Sequence, residues 1–185
     1  NFQNNSKIRY IKNKSRGFNL ALITGIENSD ADAILIYMAD DHNNSKLINK
    51  IFEKFNEGYH VVCPSRFIQG GNMIGVPFPK GALTKLASLI ISNFSTFPIK
   101  DATNSFRLFS RKLLSQLVFE SNKGFTLSFE ITAKAHRLNY AMAEIPTVCI
   151  ERTKGTSRFK LLTFIPLYLK WFFYVFQTAL IKKSK

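Results

Sequence analysis

The sequence predicts an α/β domain built on a mainly parallel sheet flanked by helices, and three observations predict it. Residues 34–38 are a short apolar run ending in Ala39-Asp40-Asp41, and residues 60–64 are a second such run leading into Ser65-Arg66. Between them, Leu47, Ile48, Ile51, Phe52 and Phe55 repeat at helical spacing. Strand, helix and strand in that order imply parallel strands joined by a right-handed crossover.

Ser45 is placed to cap the first of these helices and Gly58 to stop it. The Gln69-Gly70-Gly71-Asn72 stretch reads as a loop. Pro77 and Pro79 then precede a helix over about 81–95, with Leu83, Leu86, Ala87, Ile90, Ile91 and Phe94 on its apolar face. Residues 101–109 are polar and then amphipathic, short helices follow near 111–118 and 126–138, and residues 141–150 return to strand character. No internal repeat or low-complexity tract appears.

The chain of 185 residues is 45% hydrophobic, enough to bury one substantial core. Cys63 and Cys149 lie in apolar, strand-like runs without metal-ligand spacing, which reads as reduced thiols in a cytosolic setting. Residues 1–16 are polar and basic with no apolar stretch of the secretory kind. The net charge of +14 is concentrated at the ends: residues 1–16 carry five Lys/Arg and residues 152–185 carry eight, neither with an acid. Basic flanks beside an apolar segment point to an anionic membrane surface. Nucleic acid is the competing partner for a basic chain, and the absence of any helix-turn-helix, zinc-finger, RRM or KH pattern argues against it.

Ligands of open parallel sheets bind outside the carboxyl ends of the strands, where Asp40, Asp41, Ser65 and Arg66 fall. Adjacent carboxylates there suit Mg²⁺ or Mn²⁺, which prefer oxygen ligands and share them with substrate phosphates; the bland alternative is a solvated turn. Arg66, Lys80, Arg107, Arg152 and Arg158 follow turns or strand ends, and converging guanidinium groups imply a phosphorylated ligand. His42, His60 and His136 accompany no G-x-S-x-G element, and the glycines match neither a Walker loop nor G-x-G-x-x-G. A hydrolase triad, triphosphate hydrolysis and dinucleotide redox are therefore disfavoured.

The ordered set Gly17, Ala21, Gly25, Ile36 to Asp41, Pro64-Ser65-Arg66, Gly70-Gly71, Asp101 to Arg107, Gly124-Phe125, Glu130, Glu144-Ile145-Pro146, Glu151-Arg152 and Gly155-Thr156-Ser157-Arg158 resembles the dolichol-phosphate mannose synthase group of the family 2 glycosyltransferases. The resemblance runs over roughly residues 17–160. It implies a GT-A fold, Rossmann-like, a nucleotide-diphospho-sugar donor, and an Asp-x-Asp element that binds Mg²⁺ or Mn²⁺. Asp41 matches the second Asp of that element, Ala39 stands at the first, and Asp40 lies beside it; Asn43 takes the polar position that follows.

The resemblance further implies that Arg66, Lys80 and Thr84 hold the acceptor phosphate, with Lys and Thr where the family usually has Arg and Ser. Arg152 to Ser157 is similar to the family's mobile loop over the donor phosphates, which gives Arg152 and Arg158 a donor-phosphate role. Family members begin with strands that hold the base and ribose, and no such segment precedes Asn1; the expectation is an N-terminally truncated, partial GT-A domain over 1–160.

Residues 161–181 contain Lys170 as their one charge, and as a helix of about 31 Å they are long enough to cross a bilayer core. Lys170 near the centre would cost about 2.5–3.5 kcal/mol, Pro166 interrupts the first turns, and both flanks are basic. Thr163, Lys170, Tyr174 and Gln177 form a narrow polar stripe amid aromatic residues, which favours an amphipathic helix lying in the interface over a span or burial against a partner. Residues 161–185 are thus expected to be a membrane-associated helix with a basic tail.

Taken together, the expected activity is inverting transfer of a hexose from a nucleotide-diphospho-sugar to a polyprenyl phosphate or lipid-linked glycan at the cytoplasmic membrane face. A phosphate acceptor needs no general base, whereas a sugar hydroxyl does, and Asp101 and Glu130 are then the candidates. The alternatives are a polysaccharide or lipopolysaccharide transferase with a hydroxyl acceptor, and a non-catalytic membrane-binding remnant.

Overall fold

The computed structural model of the chain describes residues 6–13, 15–38, 41, 44–151 and 161–183. Along them run α1 (Phe18–Glu27), β1 (Ala33–Ile36), α2 (Leu47–Asn56), β2 (Val61–Ser65), β3 (Asn72–Ile74), α3 (Phe78–Phe94), β4 (Arg107–Ser110), α4 (Arg111–Leu114), α5 (Leu127–Arg137), β5 (Met142–Pro146), β6 (Val148–Ile150) and α6 (Leu161–Lys183). Gly58, at φ 96°, ends α2 as expected. Its amino end departs from expectation: Lys46 is the cap residue and makes no side-chain cap bond, so Ser45 is not the cap.

The main sheet has the order β1-β4-β2-β5. Strands β2 and β5 are parallel, whereas β4 runs antiparallel to both β1 and β2. The strand-helix-strand unit therefore forms with β1 and β2 in the same direction, but β4 is inserted between them, which makes the sheet mixed. Residues 101–109 carried no strand signal because β4 opens on a charged residue, Arg107, whose place opposite Ile36 is set by pairing rather than alternation.

Side chains alternate across this sheet. Ile36, Val61, Cys63 and Phe109 join one core with residues of α5 and α6, while Val62 and Leu108 join a second core with Ile51 of α2. The result is a sheet between two helical layers. A separate pair, β3 and β6, runs parallel beside the carboxyl end of β2, where the Thr147 N–H donates to the Ser65 carbonyl at 3.0 Å.

Two helices differ from the sequence pattern in what they bury. In α3 the apolar face reaches the core only at Ile91, and Leu86 (53%) and Phe94 (75%) are exposed. In α6 Trp171 and Val175 are buried in the main core and Ala179 is buried beside them, while Phe173 (64%) and Leu180 (69%) are exposed on the opposite side. Two members of the polar stripe of α6, Lys170 and Tyr174, are partnered by the domain. Lys170 pairs with Glu120 at 2.8 Å, and the Arg137 guanidinium lies 3.5 Å over the Tyr174 ring.

Candidate functional site

The carboxyl end of β2 delivers Arg66 into a ring of acceptors. Its Nε donates to Asp101 Oδ2 at 2.6 Å, and its Nη2 donates to Asp101 Oδ1 and to Thr103 Oγ1, both at 2.7 Å. The Arg66 backbone N–H reaches the same carboxylate at 3.0 Å. Burial alone would raise the Asp101 carboxyl, but the Arg66 bonds and charge outweigh it and hold it below the usual range. The loop after Arg66 folds tightly back on it: a Cβ on Gly71 would sit 2.5 Å from the Ser65 carbonyl oxygen, so only glycine fits.

Asp101 is itself fully buried and fixed from behind. Its N–H donates to Glu144 Oε1 at 3.1 Å, and its carbonyl accepts from Arg107 Nη2. Arg107 is also fully buried and donates through Nη1 to Thr132 Oγ1 of α5 at 2.6 Å. A line of contacts thus runs from α5 through Arg107 and Asp101 to Arg66.

Arg66, Lys80 and Thr84 come together on the wall of one groove of about 530 Å³ between α3 and α6. Its remaining lining is mostly apolar, including Leu83, Ala87, Ile90, Phe125, Tyr168, Phe172 and Phe176. Lys80 Nζ donates to both Glu151 oxygens, at 3.0 and 2.9 Å, and Thr84 Oγ donates to the Lys80 carbonyl. Cys149 also lines the groove, and burial raises its thiol, with the charges of Arg66, Asp41, Glu151 and Lys80 all acting on it.

After β1, Asp41 Oδ1 accepts from Asn44 Nδ2 at 2.7 Å, and Asn44 in turn accepts from Thr147 Oγ1 at 2.8 Å. Asp40, Arg152 and Arg158 lie outside the described residues. Among the described residues no three His, Cys, Asp or Glu side chains gather as metal ligands. The oxygen chemistry of Asp41 fits Mg²⁺ or Mn²⁺, which are commonly held by one or two carboxylates with water and substrate phosphate completing the shell.

Glu130 is fully buried elsewhere. It accepts from the N–H groups of Glu120 and Ser121, each at 2.7 Å, and from Lys134 Nζ at 2.8 Å, and it is not part of the groove wall. Sequence reasoning had singled out Arg66, Lys80 and Thr84 but not Glu151 as their counter-charge, nor the aromatic residues of α6 as a groove wall. The density of Phe and Tyr over 161–181 is the available signal; in the sequence it favours a lipid interface over burial against protein.

The glycosyl transferase family 2 profile matches residues 1–118. A dolichol-phosphate mannosyltransferase of Pyrococcus furiosus is 25% identical over 152 residues, covering 80% of this chain and 42% of that protein. A dolichyl-phosphate hexose transferase of Haloferax volcanii is 25% identical over 151 residues, covering 80% of this chain and 64% of that protein. A polyprenol monophosphomannose synthase of Mycolicibacterium smegmatis is 22% identical over 129 residues, covering 68% of this chain and 49% of that protein. The chain thus spans between 42% and 64% of the length of these relatives.

Proposed function

The chain belongs to glycosyl transferase family 2, and from that premise we propose that it moves a hexose from a nucleotide-diphospho-sugar to a polyprenyl phosphate. The observation that carries this reading is the convergence of Arg66, Lys80 and Thr84 on the wall of an otherwise apolar groove. A cationic, hydroxyl-bearing corner suits a phosphate, and the aromatic and aliphatic walls suit an isoprenoid tail. The names of the relatives point the same way.

In this reading Arg66 grips the acceptor phosphate with its Nη1 protons while Asp101 holds the guanidinium still. Lys80 exchanges Glu151 for the phosphate, and the Thr84 hydroxyl turns from the Lys80 carbonyl to donate to it. The acceptor oxygen is already ionised near neutral pH and attacks the anomeric carbon opposite the departing nucleotide, which inverts the sugar. Asp41, with Asp40 beside it, would hold Mg²⁺ or Mn²⁺, which when bound offsets the charge of the leaving diphosphate. Arg152 and Arg158 would close on the same phosphates.

A phosphate acceptor is favoured over a sugar hydroxyl because both candidate bases are engaged. Asp101 is saturated by Arg66 and held below the usual carboxylate range, and Glu130 accepts from three donors. The exposed apolar residues of α3 and α6, and a helix from Thr163 to Lys182 apolar enough to cross a bilayer, support attachment to an anionic membrane surface. Basic flanks and reduced cysteines favour its cytoplasmic face.

The test is transfer of radiolabelled hexose from UDP- and GDP-sugars to polyprenyl phosphate, read in the organic phase, with Mn²⁺ or with chelator. The expected result is metal-dependent label in the lipid that disappears in Lys80→Met. Label that enters polyprenol or soluble glycan instead would contradict the proposal, and no label with any donor would favour a non-catalytic membrane-binding protein.

A further inference from the structure

The other side of α3 carries a second, polar cavity of about 660 Å³ that the transfer reaction does not use. Lys85 and Lys100 stand on its wall with Asn72, Ser88 and Asn93, and no Asp or Glu lines it. Arg66 borders this cavity as well as the groove, but its charge is matched by Asp101. Lys85 and Lys100 are unmatched: among the described residues neither ammonium group has a carboxylate within ion-pair distance. Glu144, the carboxylate nearest the Lys100 backbone, is occupied by the N–H groups of Lys100 and Asp101 and is not on the wall.

We propose that this cavity is a second anion site, taking a phosphate group between Lys85 and Lys100. Two unpaired ammonium groups supply the charge, and the Ser88 hydroxyl with the Asn72 and Asn93 amides supplies neutral hydrogen-bonding partners. Leu89 lies on the cavity wall and is half exposed, and Phe67, Ile68 and Met73 stand on the same wall, partly exposed. An apolar rim beside a cationic hollow fits the phosphate of an anionic phospholipid headgroup, whose acyl chains would cover Leu89. A free phosphate shares the chemistry of the hollow without using the rim. The inference does not depend on the transferase reading, because neither lysine belongs to the groove that holds the acceptor.

The experiment compares the whole chain with a Lys85→Gln/Lys100→Gln variant and with a Lys46→Gln/Lys50→Gln control. The control removes the same charge from α2, on the opposite face of the sheet. All four lysines are exposed and, among the described residues, lack carboxylate partners, so both variants should keep the wild-type circular dichroism spectrum. With phosphatidylcholine vesicles containing phosphatidylglycerol, Lys85→Gln/Lys100→Gln should weaken association roughly tenfold and the control less than about twofold. With inorganic phosphate alone, saturable binding lost only in Lys85→Gln/Lys100→Gln assigns the site to a free anion; loss confined to the vesicles assigns it to a headgroup. Equal loss in the two variants, or no loss from Lys85→Gln/Lys100→Gln with either probe, would overturn the proposal.

Discussion

Arg66 and Asp101 form a two-bond ion pair, 2.6 and 2.7 Å long, in which the carboxylate is fully buried and the guanidinium nearly so. The pair joins the carboxyl end of β2 to the turn before β4, and its far side faces the groove between α3 and α6. It orients the Arg66 guanidinium on the groove wall before any ligand arrives.

Removing one partner of such a pair leaves a buried charge unmatched. Asp101→Asn should therefore cost about 3–5 kcal/mol in urea denaturation. Because the carboxyl is held below its usual range in the folded protein, its contribution is present above the unfolded value and is lost as pH falls through the folded one. Wild-type stability should decline below about pH 4, and Asp101→Asn should remove that part of the decline. A variant as stable as wild type at neutral pH would refute the structural role of the pair.

Lys80 and Glu151 are both partly exposed, at 37% and 22%, so their pairing contributes little to stability. Lys80→Met should shift denaturation by about 1 kcal/mol or less, yet raise the KM for polyprenyl phosphate roughly tenfold. A large loss of stability with unchanged KM would reverse that assignment.

Ala87 is a small residue on the groove wall. Ala87→Trp should fill the space proposed for the isoprenoid tail and reduce kcat/KM for polyprenyl phosphate at least roughly tenfold, while unfolding free energy changes by about 1–3 kcal/mol or less. Unimpaired transfer by a stably folded Ala87→Trp would move the tail out of this groove.

His136 is 4% exposed on α5, and among the described residues its Nδ1 has no hydrogen-bond partner. Burial, with Lys182 and Arg137 nearby, lowers its pKa to about 4. A histidine with a depressed folded value favours the neutral form, so stability is complete above the unfolded value and falls as pH drops from about 6.5 to about 4. His136→Phe, which keeps the edge contact with Phe97, should flatten stability across that window in thermal melts. An unchanged slope would assign the decline to other groups.

The sequence made β1, α2 and β2 legible because their signals are local: apolar runs, helical spacing and a stopping glycine. The grouping of Arg66, Lys80 and Thr84 came from the resemblance to the dolichol-phosphate mannose synthase group, because no local pattern links the end of β2 to the start of α3. The insertion of β4 was not legible, because Ile36 and Arg107 meet through pairing over a long stretch of chain that no local pattern encodes. The double role of α6 was hidden for a related reason. Trp171 and Phe173 are equally apolar in the sequence, but one is buried against α5 and the other is exposed, and only packing separates them. Glu151 as partner of Lys80 likewise depends on the β3–β6 pair that carries it to α3.

The most direct measurement is equilibrium binding of a polyprenyl phosphate to the chain in uncharged detergent, beside the corresponding polyprenol and a Lys80→Met/Thr84→Val variant. The account predicts saturable binding of the phosphate, at least about tenfold tighter than the alcohol, with that preference lost in the variant. Equal affinity for phosphate and alcohol, or a phosphate preference that survives in the variant, would contradict an acceptor site built from Arg66, Lys80 and Thr84.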